Sequence, residues 1–182
     1  MRFHLFSHDL GIDLGTANVL IYVDGQGIVV REPSVVALDK NTGKILEVGA
    51  AARNMLGRTP GNVVAMHPLK DGVISDHEMT VKMLQALFRQ VSRSSLFTPK
   101  PRVVICVPSG VTEVEERTVI NAAMGAGARR VYLIEEPLAA AMGAGLDIRG
   151  PKGHMVVDIG GGTTDVAVLS LSDVAVSSSL KV

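Results

Sequence analysis

The chain opens on three apolar stretches, "LGIDLG", "NVLIYV" and "GIVV", parted by Gly15-Thr16-Ala17-Asn18 and by Asp24-Gly25. Asp-Gly between alternating apolar residues favours a tight hairpin, so this spacing predicts a three-stranded meander. "PSVVALD" and "KILEVG" flank Asn41-Thr42-Gly43 and predict a further hairpin, and the turn-dense "NMLGRTPGNVVAMHPLKDG" after it predicts a small inserted subdomain. Met79, Met83, Leu84, Leu87, Phe88 and Val91 then recur at helical spacing behind Ser75 and Glu78, whose separation predicts a capping box. "RVVICVP" reads as a short buried strand ended by Pro108. Thr112 and Glu115 predict a second capping box, on a helix that Gly125 or Gly127 ends. "RVYLIEE" predicts a strand, and Pro137 suits the first position of a helix over "PLAAAMGAG".

After Gly150-Pro151-Lys152-Gly153 the pattern restarts. "HMVVDIG" predicts a strand, Gly160 to Thr164 a tight turn, and "DVAVLSL" and "VAVSSSL" two more strands, repeating the opening meander in order and in chemistry. The whole reads as an α/β chain whose buried strands account for a hydrophobic content of 47%.

Composition narrows the picture. At 182 residues the chain is long enough for a substantial core, and 18 basic against 18 acidic residues argue against a nucleic-acid partner held by counterion release. Cys106 is the single cysteine, so no internal disulfide forms; inside "RVVICVP" it reads as a small buried hydrophobe rather than a reactive thiol. No apolar run approaches the roughly 18 residues of a membrane span, and the N-terminus lacks a long apolar signal region, which predicts a cytoplasmic protein. The five histidines show no metal-ligand spacing.

The two turns carry the candidate chemistry. "GIDLGTANVLIYV" and "VVDIGGGTTDVAVLSL" each run from an aspartate through glycine and threonine into an apolar strand. Glycines let successive backbone amides approach an anion closely, and threonine hydroxyls add donors, so both turns suit phosphate. The preceding carboxylates, Asp13 and Asp158, are expected to face one cavity, where they suit Mg²⁺ through its waters. Neither a Walker-type loop nor a dinucleotide fingerprint is present, since both turns lead into strands. Glu136, between a strand end and a helix start, is placed to orient or deprotonate an attacking water; capping of the helix by Glu135 or Glu136 is the plainer reading.

Together "IDLGTANVLIYV", "VVICVPSGVTEVEER", "IEEPLAAAMGAGL" and the second turn resemble the actin-like ATPase superfamily. Within it they resemble the bacterial MreB family of rod-shape-determining cytoskeletal proteins, as do "REPSVVAL" (for "NEPSVVAL") and "DGVISD". The resemblance implies an actin-like (ribonuclease H-like) nucleotide-binding fold. Subdomain IA would span 1–36 and 71–150, subdomain IB 37–70, and 151–182 would be the start of subdomain IIA. It implies ATP held by Gly15, Thr16, Ala17 and Asn18 on one side and by Gly160, Gly161, Gly162, Thr163 and Thr164 on the other, with Glu136 activating water. It also implies antiparallel double filaments on the inner face of the cytoplasmic membrane, working with membrane proteins of the cell-wall elongation machinery. A hydrophobic loop carrying Leu96 and Phe97 amid Arg93, Lys100 and Arg102 would enter the bilayer, with Phe3, Leu5 and Phe6 as a weaker anchor. An Hsp70-like or sugar-kinase-like ATPase is the alternative on the same fold, though the short insertion suits a filament subunit better. On this resemblance the chain holds a first domain lacking its returning C-terminal helix, plus one meander of a second. Bare apolar strand faces are then expected.

Overall fold

The computed structural model describes residues 9–58, 61–91 and 100–181; Leu96 and Phe97, like Phe3, Leu5 and Phe6, lie outside them. The opening meander forms as β1 (Leu10–Leu14), β2 (Asn18–Val23) and β3 (Gly27–Pro33). The second hairpin is β4 (Val36–Asp39) and β5 (Ile45–Val48), followed by a short α1 (Ala50–Arg53) and by β6 (Val63–Met66), which pairs back onto β4. A small ribbon, β7 (Leu69–Lys70) with β8 (Val73–Ile74), leads into α2 (His77–Val91). Then come β9 (Arg102–Val107), α3 (Glu113–Ala126), β10 (Arg130–Glu135) and α4 (Glu136–Gly143). The closing meander is β11 (His154–Ile159), β12 (Thr163–Ser170) and β13 (Asp173–Lys181).

The main sheet has the order β10-β9-β1-β2-β3, with β1, β9 and β10 parallel and the hairpins antiparallel. Period-two alternation sends Leu10, Ile12 and Leu14 to one face and Gly11 and Asp13 to the other. The first face packs on α2 and α3, where Ile12, Ile21, Met83, Leu84, Leu87 and Ile105 are completely enclosed. Burial of each such side chain contributes about 1.5–3 kcal/mol, which makes this layer the principal source of stability. The closing meander forms its own sheet and packs Ala167 and Leu169 on Ala141 and Ile148, beside α4. Its other face is bare: Met155, Val157, Val176 and Leu180 are exposed.

Helix ends show how local chemistry decides boundaries. The Thr112–Glu115 box forms as expected, with Thr112 accepting from the Glu115 amide, and α3 stops at Gly127, whose φ of 116° is in the left-handed region. The expected Ser75–Glu78 box does not form. Asp76 caps α2 instead, its carboxylate accepting from the Met79 amide at 2.9 Å, because the Ser75 hydroxyl is already committed to the Pro68 carbonyl at 3.0 Å. Glu78 pairs with Lys82 one turn along. Pro137 is the second residue of α4 rather than the first, Glu136 being the first.

Candidate functional site

One cleft of about 500 Å³ lies between the two glycine turns, on the face of the main sheet opposite α2 and α3. In the first turn Gly15 N–H donates to the Asn18 carbonyl at 3.1 Å. Buried Ser34, just past β3, fixes the outer side: its amide donates to the Ala17 carbonyl at 3.0 Å and its hydroxyl to the Gly15 carbonyl at 2.6 Å. With these carbonyls engaged, the Thr16 and Ala17 amides carry no hydrogen bond among the described residues. Successive N–H groups left open in this way form an anion receptor.

The second turn repeats the construction, Gly160 N–H donating to the Thr163 carbonyl at 2.8 Å. It also touches the first turn. A Cβ on Gly161 would lie 2.5 Å from that of Ala17, and one on Gly162 would lie 2.7 Å from Thr16 Oγ1. That contact is the physical answer to why this turn carries so little side chain. A third segment closes the junction: the Asp71-Gly72 tip of the β7–β8 ribbon donates the Gly72 amide to Thr16 Oγ1 at 2.9 Å and fits against Pro108 and Thr163.

Three carboxyl groups, Asp13, Asp158 and Glu136, line the same cleft. Asp13 is reached by solvent, yet crowding by protein atoms, seconded by the charge of Asp158, holds its pKa above the ordinary aspartate value. Burial raises Glu136 to about 7, with the charges of Asp13, Asp165 and Asp158 adding to the shift. Cys106, also in the cleft, is pushed up to about 12 by burial and by the same negative charges, so it stays a thiol. Such a concentration of negative charge is the environment that a hard cation relieves.

Behind the cleft a polar link joins the two sheets. The Ser109 amide donates to Asp165 Oδ1 at 3.2 Å and the Ser109 hydroxyl to Glu135 Oε2 at 2.7 Å, while Asp165 Oδ2 is buried without a hydrogen-bond partner among the described residues. This link anchors β12 to the turn after β9 and to the residue immediately before Glu136.

Of the residues singled out in the two turns, Thr164 alone does not line the cleft; strand alternation turns Thr163 into it and Thr164 to the opposite face. Sequence reasoning missed Arg31, which lines the cleft from β3. The signal was present in the alternation, since Val30 is a core residue and its successor must face the other way. Among the described residues no cluster of three or more His, Cys, Asp or Glu side chains is arranged to hold a metal ion. No described helix is long and apolar enough to cross a membrane.

Comparison with known proteins agrees with this architecture. The family model for the MreB/Mbl protein matches residues 7–182. The cell shape-determining protein Mbl of Bacillus subtilis is 58% identical over 177 residues, covering 97% of this chain and 53% of that protein. The cell shape-determining protein MreB of Escherichia coli is 57% identical over 182 residues, covering 98% of this chain and 52% of that protein. The chain thus spans about half the length of the curated relatives it matches. Among solved structures, MreB5 of Spiroplasma citri bound to ADP superposes with a TM-score of 0.87 at 43% identity, over 98% of this chain and 53% of that one. The MamK double helical filament shares the fold, with a TM-score of 0.78 at 22% identity, over 96% of this chain and 54% of that one. The actin-like fold expected from the sequence is therefore the observed one, and the chain belongs to the MreB/Mbl family.

Proposed function

We propose that this chain is the nucleotide-binding part of an ATP-dependent, actin-like filament subunit that sets cell shape. The observation that carries the reading is the pair of matching turns, each closed by a glycine amide and each preceded by an aspartate, meeting over one cleft. Relatives support it: MreB5 of Spiroplasma citri has been solved with ADP and with AMPPNP, and the MamK structure is a double filament.

In this reading the open amides of Thr16 and Ala17, with Gly15 and Asn18, hold one side of the phosphate chain, and Gly160, Gly161, Gly162 and Thr163 hold the other. Mg²⁺ fits the donor set. Asp13 and Asp158 offer oxygen ligands, and with only two carboxylates close to the phosphates the ion keeps most of its waters. When bound, Mg²⁺ neutralises charge on the transferring phosphoryl group. Glu136, with a pKa of about 7, orients a water and accepts its proton near neutral pH.

Membrane attachment through Leu96 and Phe97, antiparallel pairing of filaments, a position on the inner face of the cytoplasmic membrane and engagement of the wall-elongation proteins complete the proposal. They rest on the family resemblance and, for the membrane, on two apolar residues, Leu96 and Phe97, in a polar and basic stretch of sequence.

The test uses the natural full-length protein. With Mg²⁺ and ATP it should sediment as polymer, release phosphate and bind vesicles containing anionic lipid. Turnover stimulated by a sugar or by a peptide, without sedimentation, would move the protein to the kinase or chaperone branch of the fold.

A further inference from the structure

The register of the main sheet places five side chains in one transverse row on the cleft face: Ile134, Cys106, Asp13, Leu20 and Arg31. Directly opposed residues on neighbouring strands point the same way. Asp13 therefore sits mid-row, Glu136 follows the β10 end, and Arg31 closes the β3 end, two strand spacings or roughly 9–10 Å from Asp13. Leu20 between them supplies no charge.

Arg31 is the one Lys or Arg among the described residues lining the cleft. It makes no ion pair or hydrogen bond with any described residue, although three carboxyl groups share the cleft. A cation on an edge strand often only discourages edge-to-edge pairing. Arg31 differs in that its side chain lies on the cleft side, in the row of Asp13, rather than in the plane of the sheet edge.

Electrostatics says what such a group is for. A cleft with Asp13, Asp158 and Glu136 repels a polyphosphate, and one divalent ion offsets only part of that charge. A guanidinium whose donors are uncommitted, set in a fixed fork, is well suited to bind phosphate oxygens with charge-assisted hydrogen bonds.

We propose that Arg31 is a phosphate-binding residue of this cleft, gripping the nucleotide's phosphate chain from the β3 side while Glu136 faces it from the β10 side. The inference rests on the nucleotide reading above and deepens it. Nothing in either glycine turn supplies this charge, so the grip belongs to the sheet rather than to the turns.

The experiment compares the natural full-length protein with its Arg31→Gln and Arg31→Lys variants, each checked for an unchanged melting curve. Binding of MgADP, magnesium tripolyphosphate and adenosine is measured by calorimetry at two salt concentrations. Arg31→Gln should weaken MgADP and tripolyphosphate about tenfold to a hundredfold, leave adenosine unchanged and flatten the salt dependence, with Arg31→Lys recovering part of the loss. Equal MgADP affinity in parent and Arg31→Gln would overturn the role of Arg31 and leave the nucleotide reading standing. A parent that binds neither MgADP nor tripolyphosphate would overturn the nucleotide reading, and this inference with it.

Discussion

The two meanders, β1–β2–β3 and β11–β12–β13, have almost the same sequence pattern and very different surroundings. Each closes its first turn with a glycine amide on the carbonyl three residues later, at 3.1 Å for Gly15 and 2.8 Å for Gly160. In the first meander Ile12, at 1% exposure, is sealed under α2 and α3; in the second Met155, at 68%, faces outward. Turn geometry is thus set within a few residues, whereas burial depends on which helices and strands the rest of the chain brings. The site draws on the first kind of information and the stability on the second, so the two can be perturbed separately.

The largest effect should come from breaking the chemical equivalence of the turns. Asp13→Asn and Asp158→Asn each remove one carboxylate facing the proposed Mg²⁺, and each should slow phosphate release by the full-length protein about a hundredfold or more, corresponding to ~3 kcal/mol of lost charge stabilisation. If one of the two were silent, the halves would not be equivalent and the metal would belong to a single turn.

The packing contrast should follow in size. Ile12→Ala opens a cavity in the layer under α2 and α3 and should cost about 2–5 kcal/mol in denaturant unfolding. Met155→Thr, on the bare face of the closing meander, should fall within about 0.5 kcal/mol of zero, since it also introduces the β-branching that strands favour. Similar costs at both positions would mean that the outer face of β11 is covered in solution.

Legibility in the sequence follows the same division. Turns and caps that depend on neighbours in the chain are readable: the Asp24-Gly25 hairpin, the Thr112–Glu115 box and a glycine stop to α3, which the structure puts at Gly127 rather than Gly125. The cap of α2 was displaced by one residue because Ser75 bonds to Pro68, a partner seven residues back that no capping pattern includes. The family resemblance puts Thr164 beside Thr163 at the phosphates, and only the alternation along β12 separates their faces. Arg31 is legible only in part: alternation with core Val30 turns it to the other face of β3, but its place level with Asp13 depends on β3 pairing with β2 and β2 with β1, a register that spans two hairpins. The bulge after Ile21 shifts that register, so counting back from Asp24-Gly25 alone gives the wrong partner for residues before it.

A more modest shift than that of Ile12→Ala is expected at Glu136, which joins site and stability. Its carboxyl is raised to about 7 in the folded chain, chiefly by burial, against an ordinary value of 4.5. The folded state therefore binds more protons than the unfolded one between those values, and the sign is fixed: this group's contribution is fully present below about pH 4.5 and is lost as pH rises through about 7. At pH 8 the ionised Glu136 weakens the nucleotide-free fold, by about 1 kcal/mol once its partial exposure to solvent is allowed for. Glu136→Gln should accordingly raise the melting temperature at pH 8, leave it nearly unchanged at pH 4.5, and lack the rise in phosphate release that the parent should show between pH 6 and pH 8. A closing site that held Glu136 only as a helix cap would give the opposite stability result, because an ionised carboxylate at the start of α4 would then favour the helix dipole and its removal would lower the melting temperature.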